Sequence, residues 1–244
     1  MAEFTDRYDA GRQLAALLAS RGRSPVPGAG GIREQQVTAG VGPSSGTTVV
    51  LGLPRGGVPV AEVVARELGA PLDVIMVRKL GVPVHPELAM GAIGEGGLRV
   101  LDESIVRHFA VAEAELAEVQ AREEATLARR AELFRAGRPP LDLRGATAVL
   151  VDDGMATGAT ARVACQAARR LGAERVVLAV PVAARETVER FRADGDADEV
   201  VAVATPRHFR SVGEHYADFA AVEDGTVAAI LRRFQRPPTG GRAR

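Results

Sequence analysis

The sequence predicts an α/β protein built on a doubly wound, mainly parallel five-stranded sheet. Three observations carry this. The runs "TTVVLGL", "PLDVIMV", "GATAVLV", "RVVLAV" and "DEVVAVA" are apolar nearly throughout, as strands covered on both faces must be. Helical stretches stand between most of them, the βαβ order of a parallel sheet. The two most unusual motifs, Arg55-Gly56-Gly57 and Asp152-Asp153, each come directly after such a run. Open parallel sheets collect their ligands there, at the carboxyl ends of strands where the strand order reverses.

Taken in order, Tyr8 to Ser20 reads as a helix with Leu14, Leu17 and Leu18 on one face. Residues 21–46 are rich in Gly, Pro and Ser without a period, and read as a mobile surface insertion. The first strand then leads through a glycine turn into the helix of "PRGGVPVAEVVAREL", and "PLDVIMV" is the second strand. Met90 to Ile93 and Leu98 to Leu101 flank Gly94-Glu95-Gly96-Gly97 as a hairpin. Ser104 is expected to cap a long charged helix ending near Arg135, with Leu116, Val119, Leu127 and Leu133 as its apolar anchors. The third strand is followed by a helix over Ala159 to Leu171, the fourth by a helix over Glu186 to Ala193, and the fifth ends near Ala204. Residues 205–236 are left for a small hood and a last helix. This is one domain over 1–244, with its core at about 47–204.

Composition narrows the function. Hydrophobic residues at 46% and charged residues at 25% suit a folded, soluble chain. A net charge of +0 supplies no global field, so neither nucleic acid nor a membrane is expected as partner. The single cysteine, Cys165, excludes an internal disulfide and a multi-cysteine metal site, which suits a reducing cytoplasm. It sits among helical alanines and reads as a small buried residue. The start "MAEFTDRYDAGRQLAALLAS" is acidic and amphipathic, unlike a signal peptide, and no apolar run approaches the roughly 18 residues of a membrane span.

The stretch "VLVDDGMATGAT", Val149 to Thr160, holds the most chemistry. Ionised Asp152 and Asp153 are pure acceptors and suit the vicinal hydroxyls of a sugar. Thr157, Gly158, Ala159 and Thr160 stand where a helix opens, so their backbone N–H groups and the helix dipole can receive a phosphate. One turn thus fits a ribose 5-phosphate. In "LPRGG", Gly56 and Gly57 let a backbone approach an anion closely, and Arg55 supplies a forked phosphate donor. Arg78 and Lys79 follow the second strand and are expected on the same sheet edge as the other motifs.

"VLVDDGMATGAT" resembles the phosphoribosyl-pyrophosphate motif of the type I phosphoribosyltransferases, keeping apolar strand, acid pair and phosphate loop in register. The resemblance covers roughly Val49 to Ala204, and "LGLPRGGVPVA" with "VRKLGVPVHPELAMGAIGEGG" is closest to a bacterial phosphoribosyltransferase-like branch. It implies transfer of ribose 5-phosphate from 5-phosphoribosyl 1-pyrophosphate to a nitrogen acceptor, usually a nucleobase, with release of pyrophosphate. It implies magnesium, held by Asp152 and Asp153 only indirectly, through ribose hydroxyls and water. Asp152, Asp153 and Gly154 would receive the ribose, Ala156 to Thr160 the 5-phosphate, and Arg55, Gly56, Gly57, Arg78 and Lys79 the pyrophosphate. Lys79 and Asp153 are the residues expected to act in catalysis, the hairpin is the expected lid, and a homodimer is the common assembly. Hypoxanthine-guanine members carry an acid where this chain has Ala156, which argues against a 6-oxopurine acceptor.

Weaker candidates remain. His85 and Glu87 read as exposed loop residues. His208, Phe209, Arg210, His215, Tyr216 and Phe219 suit either a base-stacking hood or core at the sheet edge. A regulatory sensor of the same phosphoribosyl donor is the rival to an enzyme, and it calls for a basic nucleic-acid face that the sequence does not display. A sugar-phosphate hydrolase would need a nucleophile beside the acids, and none stands there.

Overall fold

The computed structural model describes residues 2–21 and 47–234. The expected mobile insertion therefore lies, from residue 22 to 46, outside the described residues, as does the chain beyond 234. The central sheet has five parallel strands: β1 (Thr48–Gly52), β2 (Leu72–Val74), β6 (Thr147–Val151), β7 (Arg175–Val182) and β8 (Glu199–Ala204), in the order β2-β1-β6-β7-β8. The chain moves outward from β1 to β2 and later returns to β6 on the other side of β1. The switch point thus lies between β1 and β6, whose ends meet where Gly52 pairs with Val151.

The near-unbroken apolar runs have a direct cause. Val50, Val149, Val151 and Val177 point to one face, packed by α1 (Arg7–Arg21), α2 (Gly57–Leu68) and α7 (Asp224–Phe234). Val49, Leu51, Leu150 and Leu178 point to the other, packed by α5 (Ala159–Arg170) and α6 (Arg185–Asp194). Successive residues of a strand face opposite ways, so both sets must be apolar. Cys165 is fully buried on α5, the small buried residue expected, and desolvation pushes its thiol up to about 12. The helix α1 runs back along the sheet, with Arg7 near the carboxyl edge and Arg21 bonded at 2.9 Å to Glu199 at the start of β8. Among the described residues no helix is long and apolar enough to cross a membrane.

Three local expectations need correction. The run "PLDVIMV" is not one strand: β2 stops at Val74, and the chain enters β3 (Val77–Val82) of a separate antiparallel sheet. Ile75 and Met76 stay buried through the change, so the apolar pattern conceals it. The hairpin accordingly has three strands, β3, β4 (His85–Gly94) and β5 (Leu98–Leu101), and not two. Finally, the long helix is broken into α3 (Glu103–His108) and α4 (Glu113–Arg135) around Ala110, whose φ is 47°. Asp102, not Ser104, caps the first piece, its carboxylate accepting from the Ser104 and Ile105 N–H groups at 3.0 and 3.2 Å. A carboxylate at a helix start also gains from the dipole, which a hydroxyl does not.

Candidate active site at the switch point

All five residues of β6 are buried, and the acid pair comes at the first positions where the chain emerges. Asp152 Oδ1 accepts from the Asp153 N–H at 2.9 Å. Burial raises both carboxyls above their usual range, and the charge of Asp153 raises Asp152 further. The guanidinium of Arg7 works against this at Asp153, where its Nε donates to Oδ2 at 2.8 Å. Asp153 Oδ1 and Asp152 Oδ2 make no hydrogen bond among the described residues. The pair thus keeps acceptors to offer.

The Arg55-Gly56-Gly57 turn lies directly against these acids, with the Leu53 N–H donating to the Val151 carbonyl at 2.8 Å. A Cβ on Gly56 would stand 1.9 Å from Asp153 Oδ2, and one on Gly57 would stand 2.4 Å from the Val151 carbonyl oxygen. At Gly57 only hydrogen fits against the backbone, and at Gly56 a Cβ would have to push the Asp153 carboxylate aside. The glycines assigned to anion approach are first of all what lets this turn touch the acid pair. Arg55 is half-exposed, 3.9 Å from Asp224 at the start of α7.

Beyond the acids, Met155 is buried and fastened to the end of β7, its N–H donating to the Val182 carbonyl at 2.9 Å. Gly158 then adopts φ 76°, a left-handed turn, and a Cβ there would come 2.5 Å from the Phe191 ring. α5 opens immediately after it. The Arg162 N–H is bonded back to the Gly158 carbonyl at 2.9 Å, so the N–H groups of the turn before it are those of a helix start, without partners one turn back; the Ala159 N–H makes one long bond, to the Thr157 hydroxyl at 3.5 Å. Ala156, Thr157, Ala159 and Thr160 are exposed there, and Gly154 rests on Val212 of the hood. The acids, the glycine turn and the turn that opens α5 are therefore brought together.

Arg78 and Lys79 are not brought to that edge. Both lie within β3 of the hairpin sheet. The Arg78 guanidinium donates to Glu123 of α4 at 2.7 and 2.9 Å, and Lys79 pairs with exposed Glu87 at 3.1 Å. His85 contacts the edge of Phe109 in the same layer. The hood cluster divides. Tyr216 is buried against Phe4 and its hydroxyl donates to the Asp153 carbonyl, while Phe219 is half-exposed and Phe209 stacks on His215.

Sequence reading missed Arg7. Besides Asp153 it reaches the Ala220 carbonyl at 2.8 Å and lies 3.9 Å over the Phe219 ring. It stands 146 residues from its carboxylate, at the start of an ordinary amphipathic helix, where no local spacing marks it.

A doubly wound parallel sheet with an acid pair, a glycine turn and a left-handed helix-opening turn at its switch point has the form of a type I phosphoribosyltransferase. The chain belongs to that group: residues 44–205 match the phosphoribosyl transferase domain family. Proteins from two strains of Mycobacterium tuberculosis, each named "putative phosphoribosyl transferase", are 50% identical over 233 residues, 96% of this chain. The chain spans about half, 47%, of their length. A crystal structure of a Thermus thermophilus protein superposes with a TM-score of 0.74 at 43% identity, covering 95% of this chain and 99% of that one.

Proposed function

We propose that the chain transfers ribose 5-phosphate from 5-phosphoribosyl 1-pyrophosphate to a nitrogen acceptor of the nucleobase class, releasing pyrophosphate. The observation that carries this is the contact of the Gly56-Gly57 turn with the Asp152-Asp153 pair, ahead of the turn that opens α5. Pyrophosphate, ribose and 5-phosphate of one donor call for those three features side by side. In this reading Asp153 Oδ1 and Asp152 Oδ2 accept from the ribose hydroxyls. The N–H groups from Ala156 to Thr160 receive the 5-phosphate, with the Thr157 and Thr160 hydroxyls beside them. The backbone of Gly56 and Gly57 and the Arg55 guanidinium receive the pyrophosphate.

Displacement at the anomeric carbon builds positive charge on the sugar and negative charge on the departing pyrophosphate. Arg55 lies at hand for the second, and Lys79 joins it as the hairpin closes, excluding water from a reactive sugar cation. Arg78, bonded to Glu123, supports the hairpin from behind. Magnesium suits this donor set, because Asp152 and Asp153 keep hard, unengaged oxygens for water and hydroxyls around such an ion. Bound with the donor, it would neutralise charge on the pyrophosphate.

An assay with radiolabelled donor against a panel of nucleobases and amines tests the proposal, with labelled ribose 5-phosphate appearing on one acceptor class as the expected result. Tight donor binding with no turnover on any acceptor or water would instead favour a sensor of the donor.

A further inference from the structure

The amino-terminal helix carries the one cation bonded to the acid pair among the described residues, and the way it is held is informative. An arginine beside a carboxylate commonly engages both oxygens through its fork. Arg7 does not. Its Nε takes Oδ2 of Asp153 at 2.8 Å, its Nη1 is turned away to the Ala220 carbonyl at 2.8 Å, and the Phe219 ring lies 3.9 Å from its central carbon. Three fixed contacts set the guanidinium plane and confine it to one oxygen. The side chain is 11% exposed, so it is packed in place.

Its backbone is equally fixed. The segment before α1 pairs with the hood: the Phe4 N–H donates to the His215 carbonyl at 3.0 Å, Ala217 to Phe4 at 2.8 Å and Asp218 to Thr5 at 2.9 Å. The Asp6 carboxylate accepts from the Asp9 N–H at 2.7 Å at the start of the helix. The hood in turn grips the acid turn through the Tyr216 hydroxyl on the Asp153 carbonyl. Chain start, hood and acid pair form one braced unit.

We propose that Arg7 is a positioning residue for the sugar-binding carboxylates. It pins Oδ2 of Asp153, offsets one of two adjacent negative charges, and reserves Asp153 Oδ1 with Asp152 Oδ2 for vicinal hydroxyls. This rests on the phosphoribosyl reading of the pair. A forked arginine at the same place would close the site, and no arginine would leave two like charges to repel each other and rotate apart.

The test uses the full chain with Arg7→Met and Arg7→Lys, titrated calorimetrically with three ligands in magnesium: 5-phosphoribosyl 1-pyrophosphate, ribose 5-phosphate and pyrophosphate. Arg7→Met is expected to weaken the two sugar ligands by about tenfold, as loss of a charge-assisted contact would, and to weaken pyrophosphate far less. Arg7→Lys should recover part of the loss, and millimolar guanidinium should recover part of it in Arg7→Met. Equal losses for all three ligands would reduce Arg7 to a structural brace and overturn the proposal. Tighter sugar binding by Arg7→Met would overturn it the other way, making Arg7 a plug that competes with the substrate. Should Arg7→Met fail to fold, Phe219→Leu removes the ring under the guanidinium and is read by the same ratio. A wild-type chain that binds none of the three overturns the phosphoribosyl reading as well. A wild type that binds all three, with Arg7→Met indistinguishable from it, overturns only the role of Arg7.

Discussion

Arg135 and Arg7, each packed away from solvent beside two carboxylates, are used in opposite ways. At the base of the hairpin, buried Arg135 of α4 engages both oxygens of Asp73 through Nε at 3.0 and 3.1 Å, the Val74 carbonyl at 2.8 Å, and Glu95 through both Nη atoms. The remaining capacity of the carboxylates is taken by backbone N–H groups of Val74, Leu141 and Met76 at 2.8, 3.1 and 3.0 Å. Every carboxylate oxygen there has a partner. At the switch point, Arg7 holds one oxygen of one acid and two oxygens stay unengaged among the described residues. A saturated cluster is architecture. An unsaturated one, with both carboxyls raised by burial and Asp152 raised further by the charge of Asp153, stores a demand that a ligand can meet.

The largest expected effect breaks the saturated cluster. Arg135→Met leaves Asp73 and Glu95 buried without their cation, and chemical denaturation should show a loss of about 3–5 kcal/mol. A loss near zero would mean that the cluster is not what fastens the hairpin to β2. The next effect falls on an ion pair of a third kind, exposed Lys79 with Glu87. Lys79→Ala should change stability by less than about 1 kcal/mol. It should nonetheless lower phosphoribosyl transfer by about 10²-fold, by analogy with the loss of a donor to a developing oxyanion. Equal losses in donor binding and turnover would limit Lys79 to ground-state binding.

Asp152→Asn sharpens the contrast between the clusters. Donor affinity should fall by about tenfold, as a charge-assisted acceptor is lost, while the melting temperature at neutral pH rises. The sign follows from linkage. The Asp152 carboxyl is raised in the folded chain, so between its ordinary and its raised value the native state binds more protons than the unfolded state. Wild-type stability from this group is therefore full below the ordinary carboxylate range and is lost as pH rises through the raised value. The Asn variant should gain most above that window and lose its advantage on acidification, as thermal melts across pH will read. The smallest effect on donor binding is that of Gly56→Ala, which drives a methyl onto Asp153 Oδ2: a severalfold loss of donor affinity, with about 1–3 kcal/mol of stability lost through overpacking.

The switch-point turn was legible because its signals are local. Apolar strand, acids and helix start are contiguous, and each residue type has its own chemical reason at that place. Gly56 and Gly57 were legible as a close approach, though what they approach most closely is Asp153 and Val151. The two arginines were not legible. Arg7 meets its partner across 146 residues and Arg135 meets Asp73 across 62, and on their own helices both look like surface charges. The split of "PLDVIMV" was hidden for a related reason: hydrophobicity reports burial, not which strand lies alongside. Ile75 and Met76 keep the burial while the backbone changes partners, and Glu95 accepts the Met76 N–H that would otherwise call for a neighbouring strand.

The contact of Gly56 with Asp153 has a thermodynamic consequence. With no room for a methyl between them, the Gly56 backbone cannot move toward the acids without displacing the Asp153 carboxylate, so the two half-sites touch through that one side chain. An anion that shifts the glycine turn against that carboxylate would alter the affinity of the acid pair for a sugar, and the sugar would then alter the affinity for the anion by the same factor. Pyrophosphate left behind after transfer would therefore still be felt at the ribose position, and the order in which products leave becomes a property of that one crowded contact.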